Sequence, residues 1–159
     1  MNPPCSFSPP FCNQKNWQDD VGFFCPLLFS SSLQPDSCSF SPLTYITVNL
    51  CVTESALCFA FRCFEAADKA FPFSLTLRAD CKSAPLSLSF SCQDASLTNG
   101  VTLTRNGGEN LEGIFWGAFI EIPLSLLPPS DSYLCRLSYL RNQTESSPFP
   151  GGTALLKIK

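Results

Sequence analysis

Histidine is absent from the 159 residues. A Ser-His-Asp triad, a Cys-His nucleophile pair and His-containing zinc sites therefore cannot be built. Charge is scarce, at 14% of residues, and Lys plus Arg number 10 against 13 Asp plus Glu. A chain with so few cations has no basic stripe to release counterions from a phosphate backbone, so no nucleic-acid partner is expected. Bilayer-length apolar runs are missing too. The stretch "VGFFCPLLF" is short, contains Pro26 and follows two aspartates instead of a basic region, which suits neither a membrane span nor a signal peptide. Catalysis without histidine would rest on paired carboxylates or an isolated thiol. The acids are scattered, and the adjacent pair Asp19-Asp20 lies in a polar segment without a Gly-rich loop or third ligand, so it reads as a solvated turn. Neither enzyme activity nor a cofactor is expected.

What the chain has in quantity is cysteine, ten in all. That number suits an oxidising compartment better than a reducing cytosol. A four-thiolate zinc site usually shows two tight Cys knuckles, whereas the closest spacing here is Cys58-x4-Cys63 and no second close pair follows. No metal site is expected. Cys12, Cys25, Cys38 and Cys51 fall at equal intervals, but the residues between them do not repeat, so no solenoid is implied.

Composition divides the chain near residue 43. Residues 1–43 are rich in Pro, Ser and Cys without a sustained period and read as an irregular N-terminal segment. From residue 44 the period becomes two: Ile46, Val48, Leu50 and Val52 share one face, as do Leu57, Phe59, Phe61 and Cys63. Further strands are predicted at 71–77, 85–92, 101–105, 119–122, 132–139 and 153–159. They are separated by turn material in "EAADKA", "LTNG", "NGGEN", "PLSLLPPS" and "SSPFPGG". Only "ESALCFAF" has a competing helical reading. Short, regularly spaced strands indicate an all-β antiparallel sandwich or barrel over residues 44–159.

The stretch "PPSDSYLCRLSY" narrows that choice, because it sets Tyr133 two residues before Cys135 just after a proline-broken turn. In immunoglobulin-like sandwiches a tyrosine at the start of strand F bonds back to upstream backbone, and the cysteine two residues on bridges the sheets to strand B. With "IEI" upstream of Tyr133 and "FPGGTALLKIK" downstream, residues 44–159 resemble variable-set immunoglobulin receptors. Within them they resemble the T-cell costimulatory and coinhibitory receptors related to the inducible costimulator and the cytotoxic-T-lymphocyte antigen. The strand "FPFSLTLRAD", which lacks the tryptophan most variable domains carry, favours that branch.

The resemblance implies a V-type two-sheet Greek-key sandwich with a Cys63–Cys135 disulfide, closing a loop whose restriction contributes about 4 kcal/mol on the chain-entropy model. It implies Tyr133 as the structural corner, and Phe73, Leu75 and Leu77 filling the space of the missing indole. Departures accompany it. Pro129 replaces the usual aspartate before the corner tyrosine, with Asp131 shifted. No cysteine lies between Cys92 and Cys135 to complete a second disulfide, so Cys81 and Cys92 either pair with each other or leave one free. The proline-rich motif of these receptors is also replaced, by "LSYLRNQTESSPFP".

The implied function is binding, with a cell-surface protein as ligand and the loop after strand F as the surface. Tyr139, Leu140, Arg141 and Phe149 are the contact candidates, with packing as the competing role for Tyr139 and Phe149. Asn142 in "NQT" is a glycosylation sequon within that loop. Cys58, which alternation places on the outer face of its strand, either links two chains into a homodimer or is buried by the N-terminal segment. An extracellular ectodomain, as a fragment or a secreted soluble isoform, is the expectation. The competing expectation is a cysteine-rich secreted structural or effector protein whose N-terminal cysteines are bridged to the body.

Overall fold

Apolar residues alternating with polar ones fold as strands when one face is buried. The computed structural model describes residues 5–13, 17–18, 25–30, 45–64, 71–79, 84–110, 113–141, 143–149 and 152–158. Its strands are β1 (Cys5–Phe7), β2 (Cys25–Ser30), β3 (Tyr45–Val52), β4 (Ala56–Cys63), β5 (Phe73–Arg78), β6 (Leu86–Phe90), β7 (Ala95–Ser96), β8 (Thr102–Asn110), β9 (Gly113–Pro123), β10 (Ser132–Arg141), β11 (Thr144–Ser146) and β12 (Thr153–Lys157). Among the described residues there is no α-helix, and "ESALCFAF" is Glu54 and Ser55 of the β3–β4 turn followed by most of β4.

The strands form two sheets. The first runs β1-β12-β10-β5-β6-β7, with β11 folded back on β10, and the second runs β2-β3-β4-β9-β8. All pairings are antiparallel except β1 with β12. The chain changes sheet between β1 and β2, between β4 and β5, between β7 and β8, and between β9 and β10. The β3–β4 hairpin is closed by Thr53, whose N–H donates to the Ala56 carbonyl at 2.8 Å and whose hydroxyl accepts from the Ala56 N–H at 3.0 Å.

Between the sheets lies one core. Leu57, Phe59, Phe61 and Cys63 of β4 and Ala118, Ile120 and Ile122 of β9 face Phe73, Leu75 and Leu77 of β5 and Tyr133, Cys135, Leu137 and Tyr139 of β10. Its centre is aromatic. The Phe73 ring stacks on Phe90 with centroids 5.1 Å apart, meets Trp116 edge-on at 5.7 Å and touches Tyr139 at 4.5 Å. Trp116, which stands opposite Cys63 in the β4–β9 ladder, brings an indole into this aromatic cluster from the facing sheet.

Two expectations need correction. The segment before residue 44 is not irregular throughout: β1 joins one sheet, β2 the other, and Phe11 bridges to Val52. A three-residue strand is too short to show a period, and Pro26 is tolerated in β2 because that strand is at a sheet edge. "NGGEN" is not a turn but the second half of β8. Both glycines are exposed, and the Phe115 ring of the neighbouring strand lies alongside Gly108, where a Cβ would meet it at 3.5 Å. The predicted turn at 65–70 lies outside the described residues.

Candidate functional site

The turn from β9 to β10 passes through a 3-10 turn at Leu124–Leu126 and then the prolines. Proline cannot continue the ladder, so the chain leaves one sheet here and re-enters the other. Tyr133, 3% exposed, ties the turn down by donating its hydroxyl to the Pro128 carbonyl at 2.5 Å. Burial raises its pKa and keeps the phenol a donor. Two residues on, Cys135 is fully buried on the same inward face; the structure holds it reduced, and in that form burial pushes the thiol strongly towards the protonated state. A thiol held neutral is a poor nucleophile. Cys63 enters from the opposite sheet, also fully buried, and its Sγ lies 3.9 Å from the Tyr139 hydroxyl oxygen.

The residues proposed for ligand contact separate by burial. Tyr139 is 0% and Phe149 2% exposed, the latter against Phe7 with ring centroids 5.6 Å apart, so both support the loop from within and offer no surface to a ligand. Strand alternation in β10 puts Tyr139 on the same face as Tyr133 and Cys135. Leu140 is 43% exposed on the outer face. Arg141 ends β10, while its side chain and the whole of Asn142 lie outside the described residues. Cys81 lies outside them as well, and Cys92 is half-buried.

The outer faces of the two sheets differ. On the second sheet, Cys51, Ala56, Cys58 and Ala60 are buried beneath Cys12 and Trp17 of the N-terminal segment. Trp17 meets Phe119 edge-on, with centroids 5.5 Å apart, and its indole N–H donates to the Glu121 carboxylate. Of the two roles expected for Cys58, burial by the N-terminal segment is the one the structure shows. The first sheet's outer face has no such cover among the described residues. Cross-strand register lines up Leu155, Leu134 and Arg78, then Arg136, Thr76 and Ser87, then Ser138, Ser74 and Ser89, with Leu140 beyond. The face is rich in small hydroxyl side chains, with Ser74, Ser87, Arg136 and Leu140 exposed, Leu134 and Leu155 half-buried and Ser138 buried. Arg136 also pairs with Glu145 at 3.1 Å, an exposed contact of little energetic weight. The sequence signal for these residues was the polar half of the same alternation that identified the core.

Arg105 of β8 braces the β6–β7 connection. Its guanidinium donates to the Ser91 carbonyl at 3.2 and 3.3 Å and to the Asp94 carbonyl at 2.7 Å. A cleft beside the Tyr133 turn is lined by Leu124, Pro129, Ser130, Asp131 and Ile158. Among the described residues no cluster of three or more Cys, Asp or Glu is arranged to hold a metal ion, and no helix is long and apolar enough to cross a membrane. Comparison with protein-family models, with curated proteins and with solved structures gave no match for this chain.

Proposed function

We propose that residues 44–159 form a V-type immunoglobulin-like Greek-key sandwich that acts as an extracellular receptor ectodomain of costimulatory or coinhibitory type. It binds a cell-surface protein through the outer face of the first sheet. The observation that carries the fold reading is strand order. A variable-type domain extends its G-F-C sheet with C′ and C″, and β12-β10-β5-β6-β7 has that order when β10 is strand F. The facing order β3-β4-β9-β8 then corresponds to A-B-E-D. The Tyr133 hydroxyl bond to Pro128 stands where such domains carry their tyrosine corner. Gly152, at φ +87° just before β12, donates its N–H to the Phe149 carbonyl at 2.8 Å and suits the bend that starts strand G.

The binding reading rests on the contrast between the faces. One is filled by the chain's own N-terminal segment; the other presents Leu134, Arg136 and Leu140 amid serines and threonines. Apolar anchors and arginine supply interface energy, and small hydroxyls adapt their hydrogen bonds at low entropic cost. The test is to screen the secreted chain against immune-cell surface proteins displayed on animal cells. Binding lost in Arg136→Ala and Leu140→Glu but kept in Thr104→Glu on the second sheet supports this face; equal loss in all three rejects it. One observation favours the cysteine-rich effector reading instead: Cys12 of the N-terminal segment is seated in the same buried cluster as Cys51 and Cys58. Disulfides from Cys12 to that cluster, without a bridge at Cys135, would identify it.

A further inference from the structure

Cys51 and Cys58 stand directly opposite each other in the β3–β4 ladder, both on the outer face and both 0% exposed. Directly opposed residues of antiparallel strands have Cα atoms about 4.5–5.5 Å apart, within the roughly 4.4–6.8 Å range of disulfides. Both are thiols, and neither belongs to the core between the sheets. Above them lies the cover formed by Cys12 and Trp17, held by the Trp17 bond to Glu121 and by the Cys12 N–H donating to the Val52 carbonyl at 2.8 Å.

We infer that Cys51 and Cys58 are a disulfide-forming site closed by exchange with a low-molecular-weight disulfide, and that the N-terminal cover controls access to it. This holds whether or not the receptor reading does. The two thiols act on each other: Cys58 lowers the Cys51 pKa against the opposing effect of burial, and Cys51 raises that of Cys58, which favours Cys51 as the first attacking thiolate; attack by Cys58 first would give the same disulfide. The Cys51 thiolate attacks one sulfur of RS–SR, forming a mixed disulfide and releasing RS⁻. Cys58 gives up its proton and attacks the Cys51 sulfur, forming the Cys51–Cys58 bond and releasing the second RS⁻. Two protein thiols lose two electrons and two protons, and one RS–SR becomes two RSH. Since both sulfurs are covered, the reagent reaches them only when Trp17 lifts.

The test uses the full chain, reduced and then exposed to glutathione disulfide without denaturant. Cleavage after Glu54 and at Lys15 and Arg62 places the two cysteines on separate peptides. The expected product is a linked pair of residues 16–54 and 55–62, with fragmentation placing the link at Cys51. Cys12→Ser should leave it unchanged, and Trp17→Phe, which keeps a ring but removes the indole donor, should form it about tenfold faster. Recovery of both cysteines as alkylated thiols, or loss of the link in Cys12→Ser, would overturn the site. An unchanged rate in Trp17→Phe would overturn the control by the cover.

Discussion

The Tyr133 hydroxyl donates to the Pro128 carbonyl at 2.5 Å, fixing the turn by which the chain passes from one sheet to the other. Tyr133→Phe keeps the ring and leaves that carbonyl without its donor. Destabilisation of about 1–2 kcal/mol is expected, read as a lower urea midpoint at unchanged slope. The pH dependence has a definite sign. Burial raises the folded-state pKa above the ordinary value of 10.0, so the folded chain holds this proton more tightly than the unfolded one. The associated stability is whole below about pH 10 and is lost as pH climbs through the folded-state value. In Tyr133→Phe that part of the alkaline decline should disappear.

Gly117 is required by close approach. A Cβ there would lie 2.1 Å from the Asn106 Oδ1 and 2.7 Å from the Phe61 carbonyl oxygen. The amide can swing aside, but the carbonyl belongs to the neighbouring strand β4. Gly117→Ala should therefore cost about 1–3 kcal/mol by overpacking, seen in a urea titration.

Adjacent positions in β10 should respond in opposite ways. Leu140→Glu, on the outer face, is expected to lower ligand affinity at least about tenfold while leaving stability within about 0.5 kcal/mol. Tyr139→Ala, on the inner face, should instead cost about 3–5 kcal/mol of stability. Surface plasmon resonance alongside thermal melts separates the two effects, and a loss of stability in Leu140→Glu would count against its surface role.

Arg105→Met removes the donors to Ser91 and Asp94 while keeping much of the stem. A cost of about 1–2 kcal/mol is expected. Hydrogen exchange should quicken at the Gln93 and Asp94 amides, which bond to the Ser91 hydroxyl at 3.2 and 3.0 Å.

Several of the longer strands were legible in the sequence, though the six-residue β2 was read as irregular chain and only 119–122 of β9 was predicted. Those carrying Ile46 to Val52, Leu57 to Cys63 and Tyr133 to Tyr139 were placed within a residue or two, because a buried face fixes side-chain direction. β1, β7 and β11 were not, since two or three residues carry no period. β8 was cut short at Asn106 because glycine signals a turn locally, whereas the β9 residues that pair with it, Phe115 opposite Gly108 among them, lie beyond that local signal. Trp116 was missed as the core indole for a related reason: nothing local to β9 reveals that Phe73 and Phe90 stand across from it. For the site, the resemblance drew attention to the loop after β10. Burial moved it to the neighbouring face, as alternation alone would have done for Tyr139.

The most direct test of the immunoglobulin-like reading is a non-reducing peptide map of the chain secreted from animal cells. Trypsin leaves Cys63 in residues 63–69 and Cys135 in residues 106–136, each the single cysteine of its peptide. The sandwich reading predicts these two peptides joined by a disulfide. Recovery of Cys135 as a thiol, or its linkage to Cys5, Cys12, Cys25, Cys38 or Cys51, would contradict that reading and the receptor function inferred from it.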